Sequence, residues 1–198
     1  MKTYKTIIEK PRLEVFHDEW AENPRNNDVS LGYFITCEKN HQSPDENEDM
    51  EFIIRDTGEG ADNQEQHMER IKERFMDDLN EKVVYITPVY KYEHGGVVYR
   101  RGNASGFDYS NCGFYIVTNK TIKEYGLRTN KADKFNPIID SELDDYTAWA
   151  NGEVYGFILR DAKGEVIDEC GGYNDLEGLQ MDLPKEWHKE NILDYLKQ

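Results

Sequence analysis

Apolar and polar positions alternate in several short stretches of the chain, and this period-two pattern predicts strands. Arg12 to Phe16 is the first, and Leu31 to Cys37 the second, with Tyr33, Phe34 and Ile35 at its centre. Glu51 to Arg55 reads as a third, short strand closed by Gly58-Glu59-Gly60. Val83 to Tyr92 is rich in β-branched and aromatic residues; His94-Gly95-Gly96 turns it back into Val97 to Arg101 as a hairpin. Gly113 to Thr118 is a further strand. Val154 to Leu159 and Glu165 to Cys170 form a second hairpin around Asp161-Ala162-Lys163-Gly164.

Helical spacing is clearest over Asp62 to Asn80, where Met68, Ile71, Phe75 and Leu79 make an apolar stripe and Asp62 is placed to cap the N-terminus. Thr121 to Tyr125 predicts a short helix stopped by Gly126. Ser141 to Ala150 predicts another, with Ser141 and Asp144 at capping-box spacing, and Pro184 to Leu196 a terminal one begun by Pro184. Turn chemistry makes Glu22 to Asp28 a loop, and His41 to Asp49 an acidic loop with one proline. Strands joined by hairpins outnumber helices. The expected fold is therefore α+β, an antiparallel sheet with two or three helices packed on it, in one domain over residues 1–198.

Charge sharpens this picture. The net charge is -16, and it is uneven: residues 41–82 carry 14 acids against 5 bases and residues 136–198 carry 15 against 5, whereas residues 83–135 carry 4 against 8. Such a field repels nucleic acid and anionic membranes, so direct nucleic-acid binding and membrane association are not expected; a basic partner surface is. No apolar run approaches the roughly 20 residues of a membrane span, and Met1-Lys2-Thr3-Tyr4-Lys5 does not begin a signal peptide. Cys37, Cys112 and Cys170, an odd number without a Cys-x-x-Cys pair, fit a reducing compartment, so a cytoplasmic location is expected.

Within the long helix, Glu65, Glu69, Glu73 and Asp77 recur every four residues. Like charges at this spacing oppose helix formation by a few tenths of a kcal/mol per pair, and Arg70 and Arg74 are placed to offset part of that from the side. A four-residue step rises about 6 Å, comparable with the separation of successive phosphates along a nucleic-acid strand. The row therefore suits a Lys- and Arg-lined groove. Asp45, Glu46, Glu48, Asp49, Asp140, Glu142, Asp144 and Asp145 complete the candidate partner-binding set.

Catalytic and metal chemistry leave little trace. Of the five histidines, His94 stands best placed, at a hairpin tip beside two glycines, where bonding the turn accounts for it. Cys112, Cys170 and His94 are the one soft-donor combination, and their spacing is not that of zinc. Asp45-Glu46-Asn47-Glu48-Asp49 lacks the calcium-loop pattern. Ser105-Gly106 is no nucleophile elbow, and Gly58-Glu59-Gly60 no phosphate loop. No cofactor is expected.

Several segments taken together resemble a family of small proteins of unknown function encoded by phages, conjugative plasmids and related mobile elements, mostly of Gram-positive gut bacteria. Glu14-Val15-Phe16-His17-Asp18, Asn23-Pro24-Arg25 and Leu31-Gly32 are similar to the family's opening. Pro88 to Gly96 resembles its Pro-Leu-Tyr-x-Tyr-Asp-His-Ser-Gly segment, and Phe107-Asp108 through Ile116 its Trp-Asp-Ser-Gly-x-x-Gly-Phe-Ile stretch. Gly152 to Phe157 and Asp168-Glu169-Cys170 match its closing hairpin. Gly95 stands where the family has Ser and Phe107 where it has Trp, and the Cys before that Trp is missing.

The resemblance implies a mobile-element setting, in which small acidic proteins often inhibit host defence. The leading expectation is an anti-CRISPR or anti-restriction inhibitor, acting as a DNA mimic on the basic groove of a nuclease effector. A second is a small enzyme acting on a nucleotide or other small molecule through Tyr92, His94, Asp108 and Cys170. A third is a structural accessory protein of the element, using Trp20, Trp149 or Trp187 at an interface, with its oligomeric state open.

Overall fold

The computed structural model describes residues 11–26, 29–38, 43–128 and 131–197. These form two compact units, one from residues 23–147 and one from the flanking stretches, up to Glu22 and from Ala148. Both are α+β with antiparallel sheets, as the alternating patterns predict; the strands divide between two sheets rather than sharing one. His41 and the N-terminal Met1 to Lys5 lie outside the described residues.

The central unit is built on a four-stranded sheet. Its strands are β2 (Tyr33–Thr36), β3 (Val83–Glu93), β4 (Val97–Arg101) and β5 (Tyr109–Thr118), in the order β2-β5-β3-β4. Strand β1 (Arg12–His17) belongs to the other unit. Period-two alternation supplies two buried faces. Ile35, Phe114 and Ile116 pack with α1 (Glu48–Gly58) and α2 (Gln64–Leu79) through Met50, Ile53, Ile54, Ile71 and Phe75. On the opposite face, Phe34 meets Tyr146 of α4 (Ala132–Ala150) edge-on at 5.5 Å, and Tyr85 meets Phe135 at 5.8 Å. Helices thus cover both faces of this sheet, not one.

The short helix α3 (Asn119–Tyr125) follows β5 directly. Thr118 caps it with a reciprocal pair of bonds to Thr121, and Gly126 ends it at φ 81°. Pro88 sits inside β3 with its carbonyl toward β4, where it accepts the Gly102 N–H at 2.7 Å just past the last named pair, Val89 with Arg101, so the N–H it lacks falls at the end of that ladder. Gly113 is needed where β5 passes β2, because a Cβ there would overlap the carbonyl of Ile35.

Three expected elements differ. Glu51 to Arg55 is not a strand but the middle of α1; Asn47 caps that helix by accepting the Met50 N–H, and Met50, Ile53, Ile54 and Thr57 are its buried side. Ser141 does not start a helix, because α4 already runs from Ala132 through Pro137. The Pro184 to Leu196 helix is absent: α5 (Leu176–Asp182) precedes Pro184, and a single 3-10 turn, Ile192–Tyr195, follows.

In the flanking unit, β1, β6 (Tyr155–Arg160) and β7 (Val166–Tyr173) form a three-stranded sheet in the order β1-β6-β7. Leu13, Val15, Phe157 and Leu159 pack with Leu179 and Leu183 of the α5 region, Trp187 and Ile192. No helix among the described residues is long and apolar enough to cross a membrane.

Candidate functional site

The candidate site starts from the way α2 is built. Its cap is Asn63, not Asp62: the Asn63 carboxamide accepts the Gln66 N–H at 2.9 Å, while the Asp62 N–H donates back to Gln66 Oε1 at 2.7 Å. These bonds satisfy first-turn groups that a helix leaves open. Asn80 ends the helix in the left-handed region at φ 55°. Burial of Ile71 and Phe75 fixes the rotation of the helix about its axis. With that side held, Glu65, Glu69, Glu73 and Asp77 all stand exposed in one row.

The arginines of α2 do not neutralise the row. Arg70 donates to the backbone carbonyls of Glu59 at 3.0 Å and Gly60 at 3.1 Å, and Arg74 holds Asp56 and Asp78. Of the four carboxylates, Glu69 alone has an ion-pair partner among the described residues, Lys72 at 2.6 Å. Lys72 and Lys82 flank Glu73 and Asp77 around a shallow depression that also exposes Met76.

The other candidate acids behave differently. Glu46, Glu48 and Asp49 are exposed, and the last two lie in the first turn of α1, where negative charge favours the helix dipole. Asp45 and Glu142 are spent inside the fold. Arg25 is 7% exposed, and its Nε and Nη2 donate to the two Asp45 oxygens at 2.8 Å each. Its Nη1 donates to Glu142 and its Nη2 also to the Gly32 carbonyl. Asp45 further accepts the Phe34 N–H at 2.6 Å, and Glu142 accepts the Leu31 N–H at 2.8 Å and the Tyr115 hydroxyl. Burial works to lower the Arg25 pKa; bonding to Asp45, with the charges of Asp45, Tyr115 and Glu142, outweighs it and leaves the pKa raised.

Asp140 pairs with Arg101 at 2.7 Å and Asp144 with Arg100, while Asp145 is half-buried. Arginines of the basic middle segment thus take up two of the α4 acids. The expected twelve-residue face reduces to the α2 row and the acids around the start of α1.

The proposed enzyme cluster is partly assembled. Tyr92 and His94 have ring centroids 6.3 Å apart, and His94 Nδ1 lies 3.9 Å from Asp108, at one end of the four-stranded sheet. His94 is three-quarters exposed there, and no desolvated pocket surrounds it. Cys170 lies on β7, in the other unit. Cys112 points inward, its thiol donating to the Val89 carbonyl and pushed up to about 12 by burial, so it supplies no thiolate at neutral pH. Among the described residues, no three His, Cys, Asp or Glu side chains gather so as to hold a metal ion.

Sequence reasoning missed Arg25, Glu81 and Lys91. Glu81, 8% exposed, accepts from Tyr33, Thr118 and Lys120; Lys91, 5% exposed, is held by Glu38 at 2.7 Å. Both organise the ends of the sheet. In comparison with known proteins, no family model, no curated protein and no solved structure matches the chain.

Proposed function

We propose that the protein is a stoichiometric inhibitor of a basic nucleic-acid-handling protein, in the mobile-element setting implied by its sequence resemblance, and that a CRISPR effector or restriction nuclease is the partner class. The observation that carries this reading is the α2 row: Glu65, Glu69, Glu73 and Asp77 exposed at four-residue intervals, with one neighbouring lysine engaged. The flanking arginines are turned to Glu59, Gly60, Asp56 and Asp78, which leaves the row negative. A groove that binds phosphates by Lys and Arg attracts such a row by the same forces.

DNA cleavage by a panel of CRISPR effectors and restriction endonucleases, measured against increasing protein at low and raised salt, tests this. Inhibition should saturate near one equivalent, weaken steeply with salt, and disappear in a Glu69→Lys/Glu73→Lys variant of unchanged fold. Salt-insensitive inhibition, or full activity of the reversed variant, removes the electrostatic mechanism. A panel that is wholly uninhibited removes the anti-defence role.

A further inference from the structure

The two edges of the three-stranded sheet are treated unequally. On the β1 side, Val15 bridges to Leu196 in parallel and its carbonyl accepts the Lys197 N–H at 2.8 Å, so a stretch of the chain's own backbone closes that edge. On the other side, among the described residues, β7 pairs with β6 alone. Every residue of β7 from Val166 to Gly172 is exposed, which leaves both side-chain faces open; the Asp18 carboxylate takes the Gly172 N–H at 3.1 Å, so the open stretch of the edge is Val166 to Cys170. Val166 and Ile167 are 48% and 56% exposed and add nothing to the core beneath them. An open edge of this kind presents unpaired N–H and C=O groups to any extended chain that fits.

Charge selects among occupants. Glu165, Asp168 and Glu169 line this stretch, and Arg160, the cation at the end of β6, is directed to Glu14 and the Gly164 carbonyl. A second copy of the chain is disfavoured: antiparallel pairing centred on β7 would bring the Asp168 and Glu169 carboxylates of both copies together, and like charges across a ladder destabilise it. Asp168 and Glu169 point to opposite faces of β7, so a strand that carries a basic and an apolar side chain on each of its faces meets both carboxylates with favourable pairs and lays apolar groups toward Val166 and Ile167. We propose that β7 is a docking edge that takes up an extended, basic polypeptide segment as a fourth strand. This is independent of the α2 reading and concerns a different unit of the fold.

The test uses the full chain and a blocked octapeptide, Val-Val-Lys-Lys-Val-Val-Lys-Lys, which presents both residue types on each face, with binding followed by calorimetry and amide hydrogen exchange. Exchange should slow within residues 166–173 on peptide addition. A peptide of the same sequence methylated at every backbone nitrogen keeps the charge, loses the ladder donors, and should not bind. Asp168→Lys/Glu169→Lys should weaken binding roughly tenfold or more, and Asp168→Asn/Glu169→Gln by less in the same direction. The Glu69→Lys/Glu73→Lys variant should bind the peptide like the unaltered chain, which separates this edge from the α2 row. The proposal is overturned by undiminished binding of the methylated peptide, by exchange in 166–173 that does not change, or by wild-type affinity in the Asp168/Glu169 variants. Concentration-dependent protection of the same amides in the protein alone would assign the edge to a second copy instead.

Discussion

Arg25 joins three separate stretches of the central unit. Its fork ties the stretch before β2 to Asp45 and to Glu142 on α4, and the carboxylates it neutralises also hold the N–H groups of Phe34 and Leu31. Arg25→Met fills similar volume but leaves two inward-facing carboxylates without a cation, so it should destabilise by about 3–5 kcal/mol, read from urea unfolding midpoints. Arg25→Lys should recover only part of this, because a lysine ammonium cannot bond both Asp45 oxygens and Glu142 in one plane. The cluster was invisible in the sequence for a physical reason. Its members are 20 and 117 residues apart, and no local periodicity connects a lone arginine after a proline to a glutamate inside a distant helix.

At the scale of elements, α2 was legible because two periodic signals coincide there, an apolar stripe and an acidic one, and its exposed face followed from them. Its cap is worth testing: Asn63→Ala should cost about 1 kcal/mol in chemical unfolding, whereas Asp62→Ala should cost little, since Asp62 contributes its backbone N–H and not its side chain to the Gln66 bond. Both hairpins and α3 were also legible, since turn glycines and β-branched runs are local. Misreadings arose where short-range signals conflicted. Phe52-Ile53-Ile54 is too brief an apolar run to separate strand from helix, and the helical spacing of Met50, Ile53, Ile54 and Thr57 around it decides the outcome. Pro137 hid the first turns of α4, where Phe135, Ile139, Leu143 and Tyr146 continue the buried stripe. Pro184 suits a helix start but follows a helix end: Asp175 caps α5 through the Gly178 N–H at 2.6 Å, and Leu183 already has extended backbone, as a residue before proline prefers.

At the scale of the whole molecule, part of the acidic excess is cancelled inside the central unit. The α4 acids are partly consumed by Arg25, Arg100 and Arg101, and the remaining exposed acids belong to separate elements. What could not be read from composition is this internal neutralisation, because it depends on which arginines the sheet brings opposite α4. The central unit has its own cluster of buried residues and a continuous chain from 23 to 147. Expressed alone, residues 23–147 should therefore unfold in one cooperative transition with a retained near-ultraviolet circular dichroism spectrum; a broad, non-cooperative melt would show that this unit depends on its flanks.

The closure of β1 by Leu196 and Lys197 has a consequence for biosynthesis. Strand β1 leaves the ribosome early, but its hydrogen-bonded neighbours, β6 on one side and Leu196 and Lys197 on the other, are translated only after the whole of residues 23–147. The nascent chain therefore carries β1 without these partners while the central unit forms, and premature termination before residue 155 deprives the strand of both.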